Sequence, residues 1–248
     1  GQALMAGGRF NVTYDKTVFE GNFVRKGTFA TVDVTNAYSF SNSDDNFVTA
    51  RMDLRKYIPV KRSVLAGRIS GAWSEGGMQQ QFFLGGAPEA LLARFQNPAD
   101  FPIESANLPA LHYMEYITPI RGFQFNGRNG TKYVAANAEL RIPLSRIMLN
   151  SLNTNPAYNI ELIPFFDIGT TWTQGNPLSQ KNPIDTEVIN SYPLTITVQT
   201  LKSPFLMGFG AGTRLQMFGY SMRADLAWGV EDFTILSPRL HLSLGKNF

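Results

Sequence analysis

The stretch "FVTARMDLRKY", residues 47–57, decides the fold because apolar and polar side chains alternate along it without a break. Alternation with a period of two puts successive side chains on opposite faces of an extended chain, so it predicts a β-strand. One face carries Val48, Ala50, Met52 and Leu54, and the other carries Thr49, Arg51, Asp53 and Arg55. We therefore expect a long strand that separates an apolar environment from a charged one.

The same period recurs in residues 29–38, 135–142 and 221–228. Helical periodicity is scarce, with a short turn at residues 88–95 as the exception. We predict an all-β, antiparallel protein with about ten strands, since turn-forming Gly, Asn, Asp and Ser separate the alternating segments. The predicted strands lie near residues 5–18, 27–40, 45–59, 62–75, 79–85, 131–144, 158–173, 205–217, 219–230 and 237–248.

The two kinds of strand face favour a transmembrane β-barrel over a soluble β-sandwich. The apolar rows are modest in size and the polar rows are densely charged, as expected when lipid touches the outside and the lumen holds water or ion pairs. Segments of ten or more residues are long enough to cross the hydrocarbon when tilted, whereas soluble strands centre on about five or six residues. Aromatic rings near segment ends suit the headgroup level: Tyr14, Tyr38, Tyr57, Trp73, Trp172 and Trp228.

Composition argues against several classes of site. The chain has no Cys, so it has no disulfide and no thiolate metal site, and its two histidines, His112 and His241, lie far apart in sequence. We predict no catalytic residue, no metal site and no cofactor.

The formal charge of +3 is small and the 22 Lys and Arg form no run, so nucleic acid is not an expected partner. Residues 1–10 lack the pattern of a signal peptide, which leaves a cytoplasmic chain or a mature or truncated segment of an exported protein.

The end of the chain, "RLHLSLGKNF", is typical of the last strand of a Gram-negative outer-membrane barrel. Alternation places Leu240, Leu242, Leu244 and the terminal Phe248 on one face. The stretch resembles the terminal signal that the barrel-assembly machinery reads. It therefore indicates a bacterial outer-membrane location.

Several motifs occur in an order that resembles one known family. They are "FFLGG" at 82–86, "RGF" at 121–123, "NAELRIPL" at 137–144, "PFFDIGTTW" at 164–172, "GFGAGTRLQ" at 208–216 and "MRADLAW" at 222–228. Together they resemble the carboxy-terminal barrel of the outer-membrane assembly and translocation superfamily, which includes the BamA, TamA and bacterial surface-antigen proteins. The resemblance spans nearly the whole chain.

The resemblance implies a site inside the barrel. In that family the loop with Arg-Gly-Phe folds back into the lumen, so Arg121 would reach Asp167, with Glu139 nearby. Gly122 would allow close backbone approach, and Phe123 would pack against strand-borne aromatics; Phe165 and Gly169 are further expected lumen partners. A guanidinium suits this place because its planar fork matches carboxylates. The alternative is a surface turn with a solvated Arg121.

Two features depart from the family pattern. About 34 residues, 87–120, separate "LGG" from Arg-Gly-Phe, so we expect a long inserted loop, 87–130, that carries the motif. Barrels of the family have about sixteen strands. We therefore expect residues 1–248 to be a single transmembrane domain, either the carboxy-terminal part of a longer barrel or a smaller even-numbered barrel closed on itself. The periplasmic POTRA repeats of the family are not found in these 248 residues.

The function implied by the resemblance is insertion or translocation of polypeptides at the outer membrane, without enzyme chemistry. Expected partners are outer-membrane lipid and polypeptide substrates, together with periplasmic domains or lipoproteins outside this chain. The family mechanism points to a weak seam at residues 239–248, where Gly245 would allow a kink. Glycines 208, 210 and 212 would make room for the folded-in loop. The alternatives are a passive diffusion pore, a structural surface barrel, or a soluble β protein.

Overall fold

The computed structural model describes residues 5–20, 23–40, 46–87, 114–117, 119–144, 160–178, 185–191, 194–200, 203–217 and 220–246. The predicted turn at 88–95, His112, most of the inserted loop and Phe248 lie outside these residues. Within them, no helix is both long and apolar enough to span a membrane. The described elements are strands.

Nine long strands of the described ranges, numbered in chain order with the shorter ones, form a continuous antiparallel sheet that we call the wall. They are β1 (Met5–Asp15), β3 (Phe23–Ser39), β4 (Phe47–Val60), β5 (Ser63–Gly76), β9 (Lys132–Pro143), β10 (Ile160–Trp172), β13 (Phe205–Met217), β14 (Tyr220–Glu231) and β16 (Arg239–Lys246). Nine of the ten predicted segments are wall strands, and their bounds differ from the prediction by a few residues. The all-β antiparallel fold class is confirmed.

The wall strands have the apolar outer face and the charged inner face that the alternation predicts. On β4, Met52 and Leu54 point outward and are 48% and 39% exposed. The neighbouring Arg51 points inward, where its guanidinium lies 3.5 Å from the buried carboxylate of Asp33 on β3. Period-two alternation fixes this division because a register shift by one residue would turn every charge outward.

Residues 79–85 differ from the prediction, because their strand is not in the wall. β6 (Gln81–Leu84) pairs in parallel with β7 (Met114–Ile117) and antiparallel with β8 (Arg128–Gly130), and we call these three strands the inner sheet. Phe82, Phe83 and Leu84 are all buried, so this strand has no solvent or lipid face. An unbroken apolar run is the pattern of a strand covered on both sides.

The remaining short strands extend the wall or stand apart from it. They are β2 (Val18–Glu20), β11 (Asp185–Ser191), β12 (Leu194–Thr200) and β15 (Thr234–Ile235). The β11–β12 hairpin, which the sequence pattern did not predict, forms a separate two-stranded sheet.

The wall curves around the inner sheet. Glu115 of β7 contacts Arg51 on β4, and the segment that follows β7 contacts His241 on β16, six positions away in the sheet order. In a flat sheet, β4 and β16 would lie too far apart for both to contact the inner sheet and the segment that follows it. Among the described residues, β1 and β16 are the two edges of the wall.

The two ends of the wall differ in their connections. At one end, which we call the short-turn end, β4 joins β5 and β13 joins β14 through two residues each, and β9 joins β10 through 16 residues. At the opposite end, which we call the long-loop end, β5 connects to β9 through 55 residues that include the inner sheet, and β10 connects to β13 through 32 residues that include the separate hairpin. The inner sheet is therefore an excursion from the long-loop end into the lumen.

Candidate functional site

Arg121 lies inside the curved wall with no exposed side-chain surface, on the segment between β7 and β8. Its guanidinium donates two hydrogen bonds to the carboxylate of Asp167 on β10, from Nε to Oδ2 and from Nη2 to Oδ1, both at 2.7 Å. Its backbone N–H also donates to Asp167 Oδ2 at 3.1 Å. Asp167 is fully buried, so this bidentate pair holds both the side chain and the backbone of the loop.

A second carboxylate, Glu139 on β9, gathers three arginines. Its Oε1 accepts from Arg121 Nη1 at 3.1 Å and from Arg223 Nη2 at 2.8 Å. Its Oε2 accepts from Arg141 Nε and Nη2 at 3.1 and 2.9 Å. Asp225 on β14 completes the group, 2.7 Å from Arg223 Nε and 3.8 Å from Arg121 Nη1.

We call these six side chains the lumen ion cluster: Arg121, Arg141, Arg223, Glu139, Asp167 and Asp225. Its three positive and three negative charges balance formally. Balance matters here because a buried charge without a partner is strongly destabilising. The cluster joins the loop to three wall strands, β9, β10 and β14.

Neighbouring side chains complete the seat of Arg121. The ring of Phe165 on β10 lies beneath the guanidinium, with its centroid 3.4 Å from the Arg121 Cζ. Asn137 Nδ2 donates to Asp167 Oδ1 at 3.0 Å and to the carbonyl oxygen of Pro119 at 2.6 Å. The amide therefore ties the start of the loop segment to the same carboxylate.

Two glycines allow the loop backbone to touch the wall, and a third makes room for a carboxylate of the lumen ion cluster. Gly122 has a positive φ of 92°, and a Cβ placed there would lie 2.4 Å from the nitrogen of Gly229 on β14. A Cβ at Gly208 on β13 would lie only 1.9 Å from the carbonyl oxygen of Arg121. On the same strand, Gly212 leaves space for the carboxylate of Asp225, which would lie 1.7 Å from an added Cβ. These approaches require residues without a side chain.

The other expected loop partners occupy an apolar region next to the cluster. Phe123 is 1% exposed and belongs to a core with Phe82, Leu84, Tyr133 and other residues of the inner sheet and wall. Gly169 faces the side chains of Leu84 and Ile120, not the ion cluster. Leu240, Leu242 and Leu244 of the predicted terminal signal lie on β16, where Leu240 is 65% exposed on the outer face.

Sequence reasoning did not single out Arg223, Asp225 or His241 as members of the site. Alternation already placed Arg223 and Asp225 on a charged face, but it gave no sign that β14 comes within reach of the loop. His241 faces inward between outward leucines, and its Nε2 accepts a hydrogen bond from the backbone N–H of Gly122 at 3.2 Å. The loop is thus connected to the edge strand β16.

A second anchor holds the inner sheet on the opposite side of the lumen. Glu115 Oε2 on β7 lies 2.9 Å from Arg51 Nη2 on β4 and accepts a hydrogen bond from Gln80 Nε2 at 2.8 Å. Arg51 also contacts Asp33 on β3, at 3.5 Å. In the described part of the chain, the acidic and histidine side chains form no group of three that could hold a metal ion.

The contact between Gly122 and His241 gives a testable prediction. The His241→Leu variant should speed amide hydrogen exchange at Gly122 and along β16, because a buried N–H without an acceptor costs about 1–3 kcal/mol. The His241→Gln variant offers a carbonyl oxygen as acceptor and should retain slow exchange. Equal exchange in the two variants would contradict a role for the hydrogen bond.

Comparisons with known proteins agree with this architecture. A family model described as the Omp85 superfamily domain matches residues 2–248. Among solved structures, the chain is similar to BamA from Haemophilus ducreyi lacking POTRA domains 1-3, with 14% sequence identity and a TM-score of 0.55. That match covers 96% of this chain and 42% of the BamA chain, so this chain spans less than half of that relative. No curated protein matches.

Proposed function

This chain belongs to the Omp85 superfamily, and on that premise we propose that it is a bacterial outer-membrane barrel that acts in the insertion or translocation of polypeptides. The observation that carries the proposal is the seating of Arg121, with its fully buried bidentate pair to Asp167. Because this family-typical motif is held so tightly inside the wall, it favours a functional element of the lumen over a surface turn with a solvated arginine.

The occupied lumen favours this function over passive diffusion. The inner sheet and the Arg121 segment are anchored to β4, β9, β10, β14 and β16 by ion pairs and hydrogen bonds. A diffusion pore instead has a water-filled channel through a wide barrel. The contents of this lumen argue for a barrel whose lumen is blocked at rest.

The edge strand β16 is the proposed place of action. Unpaired backbone groups are costly in lipid, so an open edge gains stability when an extended polypeptide pairs with it. Leu240, Leu242 and Leu244 give this edge an apolar outer face, and Gly245, which pairs with Ser221 on β14, is the position where we propose that the strand kinks. An incoming strand would extend the wall at this edge.

The ends of the wall suggest an orientation. Outer-membrane barrels have short periplasmic turns and longer extracellular loops. We therefore place the short-turn end in the periplasm and the entrance of the inner sheet on the cell surface. Partner modules outside this chain, such as periplasmic domains or lipoproteins, would then meet the short-turn end.

Folding of a client barrel tests the function. The full-length protein is reconstituted in lipid vesicles, and a urea-unfolded outer-membrane barrel is added while its folding is followed by heat-modifiable gel migration. Folding should be faster than in empty vesicles and in vesicles with an unrelated barrel. Equal rates in all three, together with steady large openings in planar bilayers, would favour a passive pore instead.

A further inference from the structure

A lysine interrupts the apolar outer row of β4. Lys56 follows Met52 and Leu54 on the outward face and is exposed. Beyond it, Ile58 and Val60 are each 46% exposed, so apolar side chains flank the lysine on both sides along the strand. Ionisable side chains on a lipid-facing surface are costly and therefore mark functional positions with a partner.

Among the described residues, the hydrogen-bond partner of the Lys56 ammonium is a neutral side chain. Its Nζ donates to the hydroxyl oxygen of Thr28 on β3 at 2.9 Å, and no ion pair to it occurs within the described ranges. By contrast, the inward arginines of the same strand, Arg51 and Arg55, each lie within 3.0 Å of a carboxylate oxygen. The outward ammonium therefore lacks the counter-charge that the inward cations have.

An apolar groove on the outer face is lined in part by Lys56. Gly67 on β5 is the register partner of Lys56, and a Cβ placed at Gly67 would meet no atom within 4 Å. The next strand presents the small Ala138 at the same level. The resulting groove has a volume of about 410 Å³ and is lined mainly by Leu54, Ile69, Ala136, Ala138, Phe166 and Ile168.

We propose that this groove and Lys56 form a binding site for an anionic glycerophospholipid, with an acyl chain in the groove and the phosphate on the Lys56 ammonium. The groove supplies an apolar surface shaped by two small residues, and the ammonium supplies a charge that a lipid phosphate complements. Thr28 lies on β3, on the side of β4 away from the groove, so a lipid phosphate would replace the hydrogen bond between Thr28 Oγ1 and the Lys56 ammonium. This inference does not rest on the proposed insertion activity.

The position of Lys56 indicates the leaflet. It lies four residues from Val60, at the short-turn end of β4, and nine residues from Phe47 at the other end. Lysine side chains extend toward the nearer interface, so the ammonium meets headgroups on the short-turn side. That side is the periplasmic leaflet in the orientation given above.

Lipid association measured by electron spin resonance tests the site. The full chain is reconstituted in phosphatidylcholine vesicles with spin-labelled phosphatidylglycerol or spin-labelled phosphatidylcholine, and the immobilised fraction of each is compared. The wild type should prefer phosphatidylglycerol by about fivefold, since one lysine near a lipid phosphate contributes on that scale. Lys56→Gln should remove the preference and Lys56→Arg should keep it. The matched control Lys61→Gln, which removes a charge in the β4–β5 turn, should also keep it.

Filling the groove with a larger side chain at position 67 gives a second, independent test. Gly67→Leu retains the lysine but occupies the space of the acyl chain, so the preference should fall although the charge is unchanged. If Lys56→Gln does not fold, Gly67→Leu decides the question. Equal association of both lipids with the wild type, an equal loss in Lys61→Gln, or an unchanged preference in Gly67→Leu would overturn the proposal.

Discussion

The Arg121→Ala variant is expected to lose about 3–5 kcal/mol of unfolding free energy, which is the usual cost of removing one partner from a buried ion pair. The truncation leaves Asp167, which is fully buried, with only the neutral amide of Asn137 and the loop backbone as donors. It also removes a cation from Glu139 and Asp225. Urea unfolding in lipid vesicles, followed by tryptophan fluorescence and gel migration, measures the loss.

Charge exchange separates pairing from a general need for arginine. Arg121→Glu should prevent barrel folding, because it adds a carboxylate next to Asp167, Glu139 and Asp225. Adding Asp167→Arg should restore part of the folded fraction. The matched control Lys132→Ala breaks a pair with Glu75, whose side chain is 56% exposed, and should leave unfolding close to the wild type. Independent losses without rescue in the double variant would argue against direct pairing.

The Gly208→Ala variant is expected to be the most disruptive single-methyl change at the site. The added Cβ would lie 1.9 Å from the carbonyl oxygen of Arg121, which belongs to the backbone and cannot rotate away. Overpacking typically costs about 1–3 kcal/mol, and here relief requires that the loop leave the wall. Faster amide exchange at residues 121–123, with a lower unfolding midpoint, would reveal this displacement.

The control for Gly208→Ala is the same change in open space. Gly67→Ala adds a methyl group on the outer face of β5, where no atom lies within 4 Å of the new Cβ. It should leave both exchange and the unfolding midpoint near wild-type values. If the two variants behave alike, Gly208 is not needed for close packing of the loop on β13.

The resemblance in sequence pointed to Arg121 and Asp167, and the structure places their atoms 2.7 Å apart. Asp225 and His241 were not predicted to belong to the site, although the side chain of each points inward from its strand. Their reach to the loop depends on how far the wall curves between β10 and β16. That curvature is a property of the whole sheet and leaves no mark in any one segment.

By itself, the sequence determined where the nine wall strands lie and which face of each is apolar, because both follow from local chain geometry with a period of two. The tertiary structure alone decided that residues 81–84 enter the lumen, since a short apolar run fits a wall or an interior equally well until its neighbours are known. It also decided which carboxylates share Arg121. Those contacts join strands distant in sequence, and only the assembled register brings them within hydrogen-bond reach.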